Sequence, residues 1–287
     1  MKKIKTLFVF TVIATFLMAC SKNDDTNSNI TSLDPSQIYE EFNISYGIDS
    51  DQVFDLYLPA NRTATTKMLV LVHGGGWTSG DKADMNAFRD YIKTQMPDYA
   101  IVNMNYRLAD ENNSPYPMQI NDITAVVDYL EDNEDYYVLS DDLGFIGVSA
   151  GAHLSLLWSY AFDDDNQVEM VCSVVGPTNF TDPAYTNANN PVYNELFATF
   201  GAELSTSFLE EVSPFHRVTS SAPPTILFYG GQDPLIPTTQ GTDLRDQLVE
   251  LNIAHEFTLY PNEGHGWTGL NLLDTSLKLQ AFIETHL

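Results

Sequence analysis

From residue 37 onward the chain alternates between two hydrophobic periods. Short, almost wholly apolar runs at Met68–Val72, Ala100–Met104, Leu143–Gly147, Glu169–Val175 and Thr225–Tyr229 predict strands buried on both faces, as in a parallel sheet. Gln52–Leu58 alternates polar and apolar residues and predicts a partly exposed strand, and Glu256–Tyr260 is strand-like as well. Between these runs, Asp84–Gln95, Met118–Asp132, Ala150–Tyr160 and Thr238–Leu251 carry helical spacing, and Leu273, Leu277 and Phe282 mark a closing helix. Alternating strands and helices predict an α/β fold, with a mostly parallel, doubly wound sheet joined by right-handed crossovers. Residues 37–287 suit one such domain, and no internal repeat is visible. The interval 176–224, Gly176 to Pro224, breaks the rhythm because it is far longer than an ordinary crossover. It contains Pro191-Val192-Tyr193-Asn194-Glu195-Leu196-Phe197 and reads as a small helical insertion over the top of the sheet. Such an insertion is either a lid or substrate wall, or a structural excursion.

The N-terminus follows a different pattern. Lys2, Lys3 and Lys5 precede an apolar run from Leu7 to Met18, of signal-peptide length and too short for a comfortable membrane span. Leu17-Met18-Ala19-Cys20 then resembles a bacterial lipobox. That resemblance implies a signal peptide over 1–19, lipidation of Cys20, and a lipid-anchored place in the cell envelope at the outer membrane, periplasmic or surface-exposed. The alternative is an ordinary secretory signal that ends in Cys. Residues 20–36 are polar and read as a flexible tether, and Ser21-Lys22-Asn23-Asp24-Asp25 resembles short acidic surface-export signals. Cys172 lies in the apolar run Met170–Val175 and reads as a buried structural thiol.

The composition excludes several classes. With 44 % hydrophobic residues the chain can bury a large core. With 13 Lys+Arg against 39 Asp+Glu, its net charge of −26 argues against nucleic acid as a partner and against a basic patch docking on anionic lipid. Removing residues 1–19, with their three lysines, takes the charge to −29. Two cysteines make neither a disulfide framework nor a Cys-rich metal site. Asp163-Asp164-Asp165-Asn166 lacks the Gly and terminal Glu of a calcium loop and reads as a solvated acidic turn, so neither a metal nor a cofactor is expected.

The chemistry lies in four motifs. Gly147-Val148-Ser149-Ala150-Gly151 follows a predicted strand and opens a predicted helix, a sharp turn that exposes a serine hydroxyl beside a helix N-terminus. His73-Gly74-Gly75-Gly76-Trp77 follows the strand Met68–Val72, and its glycines let backbone N–H groups approach a developing oxyanion. The Lys and Ser/Thr of a phosphate-binding loop are absent. Gly230-Gly231-Gln232-Asp233-Pro234 and Gly264-His265-Gly266-Trp267 each place a titratable residue beyond the C-terminal end of a strand, the edge at which open α/β sheets carry their sites.

The order Ser149, Asp233, His265 and the glycine loop ahead of the serine resemble the α/β-hydrolase superfamily. The match is to its carboxylesterase branch, with hormone-sensitive-lipase-like and bacterial feruloyl-esterase-like enzymes. Asp55-Leu56-Tyr57-Leu58-Pro59, Asn105-Tyr106-Arg107-Leu108 and Ala222-Pro223-Pro224-Thr225 also look like features of that branch. The resemblance implies an α/β-hydrolase fold, Ser149 as nucleophile, His265 as general base and acid, and Asp233 as the orienting carboxylate. It puts the oxyanion donors at the backbone of Gly75, Gly76 and Ala150, with Gly74 allowing the turn. An N-terminal helical cap, common among hormone-sensitive-lipase relatives, is expected to be missing, because only the tether precedes the first strands.

The implied activity is carboxylic ester hydrolysis through an acyl-enzyme on short-chain, acetyl or feruloyl esters, either small or linked to a polysaccharide. A serine peptidase or amidase of the same fold and an inactive binding lipoprotein are the alternatives. Around these motifs, His153 is expected to pack beneath the site, His73 to orient the glycine loop, and Asp81 to cap the helix that follows it. Trp77 and Trp267 are either walls of the acyl pocket or packing aromatics.

Overall fold

A period of two in the buried strands puts helices on both faces of the sheet. The computed structural model describes residues 32–186, 191, 193, 198–201 and 204–287. The strands are β1 (Tyr39–Ser45), β2 (Val53–Leu58), β3 (Met68–Val72), β4 (Ala100–Met104), β5 (Leu143–Val148), β6 (Val168–Val174), β7 (Thr225–Gly230) and β8 (His255–Tyr260). They form one eight-stranded sheet in the order β1-β2-β4-β3-β5-β6-β7-β8. β1–β2 and β2–β4 pair antiparallel, and every later pair is parallel. The principal helices are α1 (Asn86–Gln95), α2 (Pro115–Asp132), α3 (Ala150–Ala161), α4 (Thr238–Glu250) and α5 (Gly269–His286).

Alternate residues of each central strand face opposite layers. Met68, Val70 and Val72 join the core built on α2, α3 and α4, through Ile123, Leu154, Leu157 and Leu244. Leu69 and Leu71 join the core built on α1 and α5, through Ile92, Leu279 and Phe282. Both faces are apolar, so a continuous apolar run is what such a strand requires. Cys172 is fully buried in the second core, where burial pushes its thiol pKa up and disfavours the thiolate.

Two expectations are corrected. β2 is not partly exposed: Phe54 to Leu58 are all buried, because β1 covers one edge of the strand and β4 the other. Its buried Asp55 is held by Lys82 Nζ at 2.8 Å and by the Asn43 N–H at 2.9 Å. β1 itself carries no clear alternation, because a bulge between Glu41 and Ile44, with Asn43 at φ 56°, breaks its period on an exposed edge. On α5, Leu273 and Leu277 are exposed, and the core face is Thr275, Leu279, Phe282 and Ile283.

The tether expected over 20–36 overlaps the folded unit at its end. The Leu33 N–H donates to Tyr136 O and the Arg62 N–H to Pro35 O, and Asp34 accepts from both the N–H and the hydroxyl of Ser36. The signal sequence over 1–19, Cys20 and the tether up to residue 31 lie outside the described residues. Among the described residues no helix is long and apolar enough to cross a membrane.

The insertion over 176–224 carries short helices at Pro183–Thr186, Thr206–Glu211 and Pro214–Arg217. Of the stretch from Pro191 to Phe197, only residues 191 and 193 are described. Phe180, Tyr185, Phe200, Val212 and Val218 of the insertion are buried in the core of α2, α3 and α4. Gln240 at the start of α4 fastens its root, accepting from the N–H groups of Thr178 and Asn179 at 2.8 Å each.

The turn after β4 is closed by an ion pair whose carboxylate is buried and whose guanidinium is 32 % exposed. Asp122 of α2 is fully buried and accepts from the Arg107 N–H at 2.8 Å, from Arg107 Nε at 3.0 Å and from Gln52 Nε2 at 2.9 Å. Replacing Arg107 by methionine leaves that carboxylate without its counter-charge and is expected to cost about 3 kcal/mol or more. Thermal unfolding measures the loss. Arg107→Met combined with Asp122→Asn, which removes the charge and keeps an oxygen acceptor, is expected to recover part of it, whereas a single variant as stable as the wild type contradicts the pairing.

Candidate active site

Ser149, Asp233, His265, Gly75 and Gly76 sit on loops at the C-terminal ends of the parallel strands, and Ala150 opens α3 beside them. Ser149 occupies the turn between β5 and α3 with φ 53° and ψ −119°, a strained conformation for a side-chain-bearing residue. Its N–H donates to Val174 O of β6 at 2.8 Å, which ties the turn to the sheet. Close approach makes the turn possible. A Cβ on Gly151 would lie 2.2 Å from the carbonyl oxygens of both Val72 and His73, so α3 rests directly on the end of β3.

The loops after β7 and β8 are laced together. The Gly231 N–H donates to Tyr260 O and the Gln232 N–H to Glu263 O, at 2.8 Å each. This lacing brings Asp233 to His265. His265 Nδ1 lies 2.7 Å from Asp233 Oδ2, and its Nε2 lies 2.9 Å from Ser149 Oγ. The other carboxylate oxygen, Oδ1, accepts the N–H groups of Leu235 and Ile236 at 2.8 and 3.0 Å. The Asp233 side chain is 1 % exposed and that of His265 25 %, so the carboxylate is enclosed while the imidazole reaches the cleft. A proton on Nδ1, donated to Asp233, leaves Nε2 free to accept the serine hydroxyl.

The glycine loop curls over the same place. Gly75, Gly76 and Trp77 have φ of 116°, 58° and 65° in succession, and Gly75 O accepts the N–H of Ser79 at 3.0 Å to close the turn. No hydrogen bond between described residues engages the N–H of Gly75, Gly76 or Ala150. Gly74, Gly75 and Gly76 share a cleft of about 520 Å³ with Ser149 and His265, whose remaining walls are Asp84, Met85, Phe88, Val148, Leu235 and Ile236. Sequence reasoning missed those walls. Leu235 and Ile236 follow Asp233 by two and three positions, and Met85 and Phe88 precede or open α1, but apolar residues there read equally well as core.

The side chains around the motifs fall into place. His73 Nδ1 lies 2.6 Å from Gly74 O, and its ring stacks on Tyr106 at 4.2 Å between centroids. The Tyr106 hydroxyl donates to His73 O at 2.9 Å. His153 is buried beneath the site, with Nδ1 accepting from Trp77 Nε1 at 3.2 Å. Burial pushes its pKa down to about 4, so the ring is neutral at pH 7. Asp81 caps the single 3₁₀ turn Lys82–Met85 before α1, accepting the Ala83 N–H while the Asp84 carboxylate accepts the Asp81 N–H. Both tryptophans are packing residues. Trp77 is buried, and Trp267 donates to Thr275 Oγ1 and packs on Tyr260. Neither lines the cleft. Asp163 accepts the N–H groups of Gln167 and Val168, as a turn residue does, and no group of His, Cys, Asp or Glu suited to a metal ion occurs among the described residues.

The fold and the site define an α/β-hydrolase. The BD-FAE family matches residues 54–248, and the chain belongs to that family. It is 24 % identical over 249 residues to the esterase LipC of Mycobacterium tuberculosis, covering 80 % of this chain and 60 % of LipC. It is 26 % identical over 258 residues to the carboxylesterase NlhH of the same organism, covering 83 % of this chain and 78 % of NlhH. Among solved structures, a truncated carbohydrate esterase from gut microbiota superposes with a TM-score of 0.73 at 18 % identity, over 88 % of this chain and 98 % of the other. The curated relatives are named as an esterase and a carboxylesterase, and this chain spans 60 % of the first and 78 % of the second.

Proposed function

We propose that the protein hydrolyses carboxylic esters with Ser149 as nucleophile, His265 as general base and then acid, and Asp233 as the carboxylate that orients it. The observation that carries this reading is the unbroken series Ser149 Oγ to His265 Nε2 at 2.9 Å and His265 Nδ1 to Asp233 at 2.7 Å. His265 takes the serine proton as Oγ attacks the ester carbonyl, and Asp233 stabilises the imidazolium that forms. The negative charge on the carbonyl oxygen goes to the N–H groups of Gly75, Gly76 and Ala150, the last at the N-terminus of α3. The protonated His265 then gives its proton to the leaving alcohol. Water attacks the acyl-enzyme with His265 again as base, and the acid departs.

The substrate proposed is an uncharged short-chain, acetyl or feruloyl ester, small or carried on a polysaccharide. Support comes from the cleft, whose described side-chain walls are apolar apart from Asp84, Ser149 and His265 and hold no Lys or Arg. The gut-microbiota carbohydrate esterase of the same fold is in keeping with a sugar-linked ester. The lipid anchor at Cys20 is proposed from its sequence setting alone, and with it a place in the cell envelope.

Hydrolysis of p-nitrophenyl esters from acetate to long chains, with methyl ferulate beside them, tests the activity. Wild type without residues 1–19 is expected to act on the short chains or on ferulate, and Ser149→Ala to fall by about a thousandfold or more while folding normally. Equal hydrolysis by both proteins, or none by a folded wild type, overturns the reading. For the anchor, full-length chain expressed in a bacterial host is expected to sediment with membranes, and Cys20→Ser to leave them. A wild type that fractionates like Cys20→Ser contradicts it.

A further inference from the structure

The loop that carries Gly75 and Gly76 ends in a residue whose backbone resists its conformation. Trp77 has φ 65°, a region a bulky residue enters only when its surroundings hold it there. Its carbonyl is fixed by Gln119 Nε2 at 2.7 Å and by the Ala109 N–H at 2.8 Å. Its indole lies edge-on to Phe200 and His153, with centroids 4.8 and 5.4 Å away. The indole N–H ends on His153 Nδ1 at 3.2 Å, in a setting where Trp77 and His153 are each 1 % exposed.

His153 stands one helical turn after the nucleophile, and its own N–H donates to Ser149 O at 3.1 Å. The other ring nitrogen, Nε2, lies 2.8 Å from Val212 O in the insertion. A carbonyl only accepts, so Nε2 carries the proton and Nδ1 is the acceptor the indole needs. The depressed pKa of the buried ring keeps that tautomer neutral. One side chain thus joins the serine's helix, the glycine loop and the insertion.

We infer that His153 is a positioning residue for ester hydrolysis: by accepting the Trp77 indole N–H it holds the Gly75 and Gly76 N–H groups in register with Ser149. The inference rests on the reading of those two N–H groups as oxyanion donors. Donors that drift from the oxyanion stabilise the transition state less, while the cleft that binds the ester keeps its walls. The effect therefore falls on kcat rather than on KM.

Two amides separate the two ring nitrogens. Asparagine sets its carbonyl oxygen where Nδ1 stands and keeps an acceptor for Trp77. Glutamine sets its amide where Nε2 stands and keeps only the bond to Val212. We expect His153→Gln to lower kcat on a short-chain p-nitrophenyl ester by on the order of tenfold with KM within about twofold, and His153→Asn to recover most of kcat. In a Trp77→Phe background, which lacks the indole N–H, His153→Gln is expected to lower kcat no further. Trp77→Phe alone is expected to show the same kcat loss, which supplies the comparison should the glutamine variant fail to fold. Wild-type kcat in folded His153→Gln overturns the inference, as do equal kcat losses in the glutamine and asparagine variants that track their loss of melting temperature. Turnover in the parent protein that survives Ser149→Ala overturns the esterase reading and this inference with it.

Discussion

The approach of α3 to the end of β3 is the constraint on which the site depends. At Gly151 the helix comes so near the strand that a single Cβ would lie 2.2 Å from two backbone oxygens. That contact stands the strained Ser149 beside the loop that leaves β3, so a nucleophile from one strand–helix turn and N–H donors from another occupy one cleft. The packing of the two core layers holds the arrangement, since β3 is buried on both faces and α3 is buried along its whole face toward the sheet. Strain at a site persists when the structure around it over-determines the conformation, and here the surroundings are rigid sheet and helix rather than loop.

The second half of the site is assembled differently. Asp233 and His265 come from the turns that follow two neighbouring parallel strands, β7 and β8, whose paired ends at Gly230 and Tyr260 set the turns side by side. The backbone bonds from Gly231 to Tyr260 and from Gln232 to Glu263 lace those turns together. Both oxygens of the Asp233 carboxylate are used, one by His265 and one by two backbone N–H groups, so the acceptor cannot swing away from the imidazole. Enclosure of Asp233 and partial exposure of His265 suit their chemistry. A shielded anion interacts strongly with the ring, and the ring itself must meet substrate and water.

Much of this was legible in the chain because the strands that carry the motifs are buried on both faces. Continuous apolar runs set the bounds of β3 and β4 to the residue, and Gly147-Val148-Ser149-Ala150-Gly151 lies on the strand–helix turn that its flanking runs predict. The edge was not legible. In β1 a bulge destroys the alternation, and in β2 the buried Asp55 reads as solvent-facing because its partner Lys82 is distant in sequence. Gln52 and Asp122 likewise meet across seventy positions, a contact that no local pattern carries. Aromatic residues beside the motifs were ambiguous for a related reason: Trp77 and Trp267 have the composition of a pocket wall, and only tertiary packing turns both away from the cleft. Residues 1–31, with the proposed anchor, lie outside what the structure describes.

The claim that Ser149 is an activated nucleophile is tested most directly by covalent labelling with a fluorophosphonate, followed by intact-mass measurement and peptide mapping. One adduct per chain is predicted, on Ser149, formed rapidly by the folded wild type and greatly slowed in His265→Ala. An unmodified folded wild type, or an adduct on another residue with Ser149 untouched, would contradict it.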